Sequence, residues 1–433
     1  MYFLIDATSF YCSAEKVFAP HLRKRPTITL SNNDGAIVAV CPIAKRLGIK
    51  KFVPFFQVRD LVNKHNVVVT SSNYELYQSL SNKMMDTIAR FADDVHIYSI
   101  DELFARFDKL LNHESWLSLG LEIRKTVWKE VRLPVGAGGG PTPTLAKAAS
   151  HAAKRIEGYR GVAVIASDEE RVAILKQMAV TDVWGIGSRL GKKLEFMGIH
   201  SAYELSKKSP TYMRKQFSIL VENTIRELNG EVRIAWDDVR PDKQQIYSAR
   251  TFGERVTSSN ELHRALVGHC EAAMAKLRKQ NSLAGAMTVF ASNSPHDDTA
   301  FYRKSAYHQF AVPTLDTRVA SNAIKALIDK IFKPGVCFYK CGVGLLDIRP
   351  QAYYQGDLFE PSQDNAGLMH VVDAINGRYG KSSIKGFCKK HAMRREYLSK
   401  RATTRWSDIP AIKLIFITTE VALSSLVHRV STK

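Results

Sequence analysis

Residues 133–155 constrain the chain most. A short apolar run at 133–135 is followed by Gly136, Gly138, Gly139 and Gly140, and then by an Ala-rich stretch at 145–155. Apolar residues, then glycines, then strong helix formers predict a strand, a glycine loop and a helix in that order. Thr142 is placed to cap the helix, and Pro143 suits its first turn, where no N–H is needed. A chain with this unit must lay a helix against a sheet.

Other segments supply the sheet and its cover. Residues 2–5 form an apolar run ending at Asp6, the pattern of a buried strand that delivers one acid at its end. Residues 95–100 alternate and stop at Asp101 and Glu102, after which 103–107 turn apolar again, which predicts a hairpin with two acids near its bend. Helical spacing runs through 76–91 and 116–131, a further strand through 162–165 and a further helix through 169–178. A compact helical region is expected from about 166 to 235, then a polar connector, 238–244, containing Pro241. A second mixed region, 245–350, holds strand patterns at 245–251, 286–291 and 340–346 and a long helical one at 262–279. Beyond Pro350 the chain becomes Gln-, Asp- and Gly-rich and then basic, as a tail carrying short binding elements would.

Charge narrows the partner. Lys and Arg number 62 against 42 Asp and Glu, a net +20, which favours a polyanion, nucleic acid first, over a merely solvated basic surface. At 433 residues, 45% hydrophobic and 24% charged, the chain is neither disordered, collagen-like nor a small stapled scaffold, and it has room for about two to four domains. Its six cysteines, Cys12, Cys41, Cys270, Cys337, Cys341 and Cys388, are too scattered for a disulfide framework. That scatter fits a reducing cytoplasm, and Cys337 and Cys341, with no second ligand pair at zinc spacing, read as structural thiols. No secretory signal opens the sequence, and the most apolar late stretch, 411–427, is broken by Lys413 and Glu420, so no membrane association is expected.

Two divalent cations about 3.5–4 Å apart can activate an attacking hydroxyl and neutralise a leaving pyrophosphate where carboxylates from distant segments converge on them. Asp6, Asp101 and Glu102 can supply those carboxylates. Neighbours on a regular strand point to opposite faces, so Asp101 and Glu102 share a site only if the backbone bends between them, as the expected hairpin allows. The same acids could instead solvate a turn and finish a strand.

Asp6 followed by Phe10-Tyr11, then Ser31-Asn32-Asn33-Asp34-Gly35, Ser72-Asn73-Tyr74-Glu75, Tyr98-Ser99-Ile100-Asp101-Glu102 and Thr144-Leu145-Ala146-Lys147 closely resemble the Y-family translesion DNA polymerases. Within that family it looks like the UmuC branch and its mobile-element-borne relatives, over about residues 1–410. The resemblance implies an α+β multidomain fold, a right-handed polymerase. Palm and fingers would occupy 1–165, with the fingers at about 20–75, a helical thumb 166–240, an α/β little finger 241–350 and a C-terminal tail 351–433. It also implies an error-prone catalytic subunit acting opposite damaged DNA in the SOS response. A primer 3′-hydroxyl would attack the α-phosphate of a dNTP with the help of two Mg²⁺ ions. Asp6, Asp101 and Glu102 would then be catalytic metal ligands, joined by the Ala7 carbonyl.

Tyr11 matches the family's steric gate, an aromatic ring under the incoming sugar that collides with a ribose 2′-hydroxyl; its plain alternative is core packing beside Phe10. Lys45 falls where the family places a basic fingers residue on the triphosphate, and Lys154 matches a palm-side lysine with the same task. Lys147, His151 and Lys154 share one helical face, which would turn toward phosphate or simply be solvated. Three positions depart from the family pattern. Pro42 replaces a triphosphate-binding tyrosine of many relatives outside the UmuC branch, Gly139 replaces a usual apolar residue, and Pro143 interrupts a Thr-Lys-Thr pattern.

Val183-Trp184-Gly185-Ile186-Gly187-Ser188, with Lys192-Lys193 and Gly198-Ile199 beyond, has the form of a helix-hairpin-helix in the thumb. Gly185 and Gly187 let backbone N–H groups approach a DNA phosphate, Ser188 is placed to cap the second helix, and Lys192 and Lys193 add charge; a plain glycine turn is the alternative. Arg250 and Arg255 resemble basic residues on the little finger's opening strand, and each phosphate they neutralise would steepen the log-log salt dependence by about 0.9. Gln355-Gly356-Asp357-Leu358-Phe359 resembles the peptide that docks bacterial polymerases on the sliding clamp, Gln355 making polar contacts and Leu358 with Phe359 filling an apolar pocket. The pairs Lys389-Lys390, Arg394-Arg395 and Lys400-Arg401 make the distal tail basic, and in UmuC-like proteins such a region joins a UmuD′-like dimer and the RecA filament. Residues 411–433 lie beyond the resemblance. Two other functions stay open at this point: a non-catalytic, clamp-recruited DNA-binding scaffold and a metal nuclease.

Overall fold

The computed structural model describes residues 1–109, 111–234, 242–355, 362–379, 383–384 and 396–397. They fall into two compact units: Met1–Ser31 and Ala36–Trp236 with the chain from Tyr397, and Asn32–Gly35 with Asp237–Glu396.

The first unit opens with β1 (Tyr2–Ala7) and α1 (Phe10–Val17). A small sheet follows, made of β2 (Thr27–Leu30), β3 (Ile37–Val40) and, after the short helices α2 (Pro42–Arg46) and α3 (Arg59–Lys64), β4 (Val68–Ser71), in the order β3-β2-β4. Ile28, Leu30, Ile37, Ala44, Phe55 and Val62 form its core. Then come α4 (Tyr74–Ala89), β5 (Asp94–Ile97), β6 (Glu102–Arg106), α5 (His113–Val131), β7 (Val135–Gly140), α6 (Pro143–Arg155) and β8 (Val162–Val164). Their strands join β1 in a five-stranded sheet ordered β5-β6-β1-β7-β8. Alternation along β1 decides what each face carries. Phe3 and Ile5 pack with Leu80, Met84, Ile123 and Val127 of α4 and α5, whereas Leu4 packs with Phe104 and with Ala146 of α6.

The glycines expected in a loop belong instead to strand β7 itself. The reason is the helix that covers them. A Cβ on Gly138 would lie 2.0 Å from the Ser150 backbone nitrogen, and one on Gly140 2.8 Å from that of Ala146, so only a bare strand lets α6 settle this close. On the opposite face the Phe3 ring fills the space that Gly139 leaves, since a Cβ there would meet Phe3 Cζ at 2.7 Å. Thr142 caps α6 by accepting from the Leu145 N–H at 3.1 Å, with Pro143 in the first turn.

The rest of the first unit is helical: α7 (Asp168–Gln177), α8 (Ser188–Phe196), α9 (Ala202–Ser206), α10 (Pro210–Gln216) and α11 (Ile219–Leu228) pack around Ile174, Leu194, Leu205, Met213 and Ile225. Capping boxes, Ser167 with Glu170 and Ser201 with Glu204, start α7 and α9. Most of the expected connector around Pro241 lies outside the described residues.

The second unit contains β9 (Ile246–Val256), α12 (Ser259–Lys279), β10 (Ser282–Ser292), β11 (Arg303–Thr314), α13 (Thr317–Ile331) and β12 (Phe338–Pro350). The antiparallel sheet runs β11-β10-β12-β9, and Leu266 and Met274 of α12 with Ile324 and Leu327 of α13 share a core with its Met287, Val289, Val343 and Leu345. Beyond Pro350 the chain does not simply trail. Helix α14 (Ala366–Tyr379) buries Met369 with Leu283 and Leu315, and Arg278 donates to both Asp373 carboxylate oxygens at 2.6 and 2.8 Å. Among the described residues no helix is long and apolar enough to cross a membrane, and Cys12, Cys41, Cys270, Cys337 and Cys341 are free thiols.

Candidate active site

Strand parity builds the site. Leu4 and Asp6 point to one face of β1, Phe104 and Glu102 to the same face of β6, and Asp6 and Glu102 are direct cross-strand partners. Their carboxyl groups are within hydrogen-bond reach of each other. On its other side Asp6 is paired with Gly136 of β7, and the missing side chain there lets the Lys154 stem pass, with Cε 3.3 Å from where a Cβ would be. The Lys154 ammonium thereby reaches Asp6 Oδ2, and two turns earlier on α6 Lys147 Nζ lies 3.2 Å from Glu102 Oε2. Two lysines of one helix thus face two acids of adjacent strands. His151, between them, is nearest Asp182, at 3.9 Å, and burial lowers its pKa.

Glu102 holds its proton to higher pH than an ordinary glutamate. Burial is the main cause; Lys147 opposes it, and Asp6 adds to it by charge and by hydrogen bonding. Asp101 stands one step aside. Pairing of β6 begins at Glu102, so the chain bends before it: the Ala7 N–H donates to the Asp101 carbonyl at 2.9 Å, and Asp101 Oδ1 accepts from Ser99 Oγ at 2.7 Å. Among the described residues no three acid, His or Cys side chains stand close enough to hold an ion as they are. The donor set nonetheless fits a hard divalent cation in kind: the carboxylates of the cross-strand partners Asp6 and Glu102, a third on the residue before Glu102, and the Ala7 peptide bonded to that residue.

Tyr11 lies on α1 and stacks on Tyr77, with ring centroids 4.5 Å apart and planes 15° apart, while Tyr74 meets it edge-on at 5.9 Å. Tyr77 is fixed in turn by donating to buried Glu15 at 2.6 Å. Burial raises the Tyr11 pKa, with Tyr74 and Asp101 adding to it. Sequence reasoning missed Tyr77 and Glu15; the three-residue spacing of Tyr74 and Tyr77 was the available signal. It also missed buried Glu227 of α11, whose carboxylate accepts from the Thr144 N–H at 2.9 Å and from the Arg233 and Ile234 N–H groups at 2.9 Å each. That carboxylate pins the N-terminus of α6 from 83 residues away, and no local pattern announces it.

Lys45 is exposed on α2 and pairs with none of the three acids. In the hairpin, Gly185 takes a φ of +86°, as an L side chain rarely would. Gly187, not Ser188, is the N-cap of α8; Ser188 is the first helical residue, and no side chain caps the helix. The expected serine cap is therefore absent, because the extended Gly187 backbone already turns the chain into the helix. Lys192 and Lys193 are exposed on α8. In the second unit Arg250 and Arg255 are exposed on β9, and Arg255 is 2.5 Å from Asp297 and 4.5 Å over the Tyr339 ring. Gln355 is exposed, whereas Asp357, Leu358 and Phe359 lie outside the described residues, as do the basic pairs at 389–390, 394–395 and 400–401 and residues 411–433.

The chain matches the impB/mucB/samB family over residues 5–151, that family's C-terminal domain over 243–358, and a domain of unknown function over 366–412. It is 39% identical to Protein UmuC of Salmonella typhimurium across 95% of this chain and 100% of that protein, and 40% identical to Protein SamB of the same species across 96% and 100%. A solved Y-family DNA polymerase chimera shares the fold with a TM-score of 0.63 at 19% identity, over 80% of this chain and 98% of the other. The chain belongs to the impB/mucB/samB family, the UmuC-type members of the Y-family polymerases.

Proposed function

We propose that this protein is the catalytic subunit of an error-prone translesion DNA polymerase, adding nucleotides from dNTPs to a primer 3′-hydroxyl opposite damaged template bases. The observation that carries the reading is the cross-strand pair of Asp6 and Glu102 beneath the lysine face of α6. Bound there, two Mg²⁺ ions would acidify the attacking hydroxyl and neutralise the leaving pyrophosphate. Asp6 and Glu102 would hold them, with the Ala7 carbonyl and with Asp101 once its carboxylate turns from Ser99. Lys154 would exchange Asp6 for a β- or γ-phosphate oxygen as nucleotide arrives, and exposed Lys45 would reach the same triphosphate as a mobile point charge.

The remaining assignments follow from charge and position. Gly185, Gly187, Lys192 and Lys193 would grip duplex phosphates without reading sequence, and Arg250 and Arg255 would follow the template–primer. Gln355, Asp357, Leu358 and Phe359 would dock on the sliding clamp, and the basic distal tail would join a UmuD′-like dimer and RecA in the cytoplasm. The deciding experiment is primer extension on undamaged and abasic templates with these partners present. Mg²⁺-dependent incorporation is expected; template binding without incorporation would replace the polymerase reading with that of a scaffold.

Two further outcomes follow. The Tyr11→Ala protein should lose about 100-fold of its preference for deoxy- over ribonucleotides, because the ring braced by Tyr77 no longer occupies the place of a 2′-hydroxyl. Single-nucleotide incorporation with paired dNTP and rNTP measures this, and unchanged sugar discrimination would remove Tyr11 from the site. For pH, Glu102 must be ionised to hold a cation, and its pKa is raised, so extension should fail on acidification sooner than an ordinary glutamate would dictate. Lys147→Met removes the group that opposes the rise and should move the acidic limb of the rate profile to higher pH. Fold stability has the opposite sign, since the folded state keeps the Glu102 proton longer than the unfolded chain does and loses stability as pH rises through that interval.

A further inference from the structure

The hairpin and the acid pair share a stack of rings. Trp184, immediately before Gly185, donates its indole N–H to the Tyr98 hydroxyl at 3.2 Å, and the two rings stand perpendicular at 5.6 Å. Both lie over the Lys147 ammonium, whose Nζ is 4.2 Å from the Tyr98 centroid and 5.3 Å from that of Trp184. Phe104, Leu4 and Ala146 close the cluster from the sheet and from α6. The same ammonium touches Glu102, and its side chain is only 23% exposed, so its position is set by what surrounds it rather than by water.

We propose that Trp184 is a positioning residue that couples duplex binding at the hairpin to cation binding at Glu102. A lysine held against two ring faces and one carboxylate has few ways to move. With Trp184 in place, Lys147 shares its charge among the rings and leaves Glu102 in the orientation its partner Asp6 requires. Without it, the ammonium settles fully on Glu102 and competes with an incoming cation. A phosphate bound at Gly185 and Gly187 immobilises the loop that carries Trp184, so duplex should tighten cation binding, and cation should tighten duplex binding by the same factor. The inference deepens the polymerase reading and rests on it for the role of Glu102.

The test is Mn²⁺ binding, read from the EPR signal of the free ion, for the full-length protein with and without a primer–template. Primer extension at varied Mg²⁺ is the second measurement. The parent should bind Mn²⁺ about fivefold more tightly with DNA present. Trp184→Ala should lose that gain and need about fivefold more Mg²⁺ for half-maximal extension, with the rate at saturating Mg²⁺ retained. Trp184→Phe, which keeps a ring over Lys147 and is the safer variant for folding, should restore most of the gain. Tyr98→Phe, which removes the acceptor of the indole bond and keeps the ring, should fall between. A Trp184→Ala protein weakened in duplex affinity alone, with its Mg²⁺ requirement unmoved, reduces Trp184 to an ordinary hairpin residue and overturns the coupling. A parent that extends primers yet binds Mn²⁺ equally with and without DNA overturns it as well. A parent that neither binds Mn²⁺ nor extends primers sinks both this inference and the polymerase reading.

Discussion

The Asp6→Asn protein should bind primer–template as its parent does and extend it on the order of a thousandfold more slowly. The substitution keeps the shape of a residue whose neighbours are Glu102 across β6 and Gly136 across β7, so the five-stranded sheet has no reason to rearrange. Lys154 loses its partner, but its side chain is 30% exposed and can turn to water, which keeps the folding cost small. What goes is one of two cross-strand carboxylates, and the proposed cation site would lose both charge and a positioning ligand. In the proposed reading, duplex affinity would rest on other groups: the backbone at Gly185 and Gly187 and the exposed lysines of α8. Single-turnover extension and a gel-shift titration on one preparation separate the two effects. Extension within about threefold of the parent would remove Asp6 from the catalytic set.

The second large effect concerns folding. Replacing Gly138 by Ala sets a methyl group 2.0 Å from the backbone nitrogen of Ser150 and 2.6 Å from the carbonyl of Ala146. Those atoms belong to the helix itself and cannot rotate away, so α6 must lift from β7, at a cost of about 3 kcal/mol or more. Gly139→Ala meets only the far edge of the Phe3 ring, at 2.7 Å, and should cost less, since a side chain can shift within the core. Gly136→Ala meets the flexible stem of Lys154 at 3.3 Å and should be nearly neutral for folding. Urea denaturation of the three variants ranks them, and a Gly138→Ala protein as stable as Gly136→Ala would contradict the packing described for α6.

The same strand shows what was and was not legible in the sequence. The acids could be read because they stand where strand patterns end, but the pairing that sets Asp6 opposite Glu102 depends on strand order and register, which no local pattern carries. The glycines were misread as a loop because composition alone cannot distinguish a chain that needs freedom from one that needs to be thin. In the second unit β11 and α13 went unrecognised: β11 is an edge strand with one face in solvent and Pro313 near its end, which blurs the alternation. The contact between Trp184 and Tyr98, each part of a motif named above, and the role of Glu227 escaped for a different reason. Their partners lie tens of residues away, and an aromatic beside a glycine or a glutamate in a helix looks the same in sequence whether it faces solvent or another helix.

Docking of α14 on the second unit has a consequence for recruitment. The stretch holding Gln355 is secured on one flank by β12, ending at Pro350, and on the other by Met369 and the Arg278–Asp373 pair. A sliding clamp docked at Gln355, as proposed, would bind between two anchored flanks rather than at the end of a free tether. Its search volume would then be small, and a rival enzyme seated on the same clamp would have to yield space rather than merely share it.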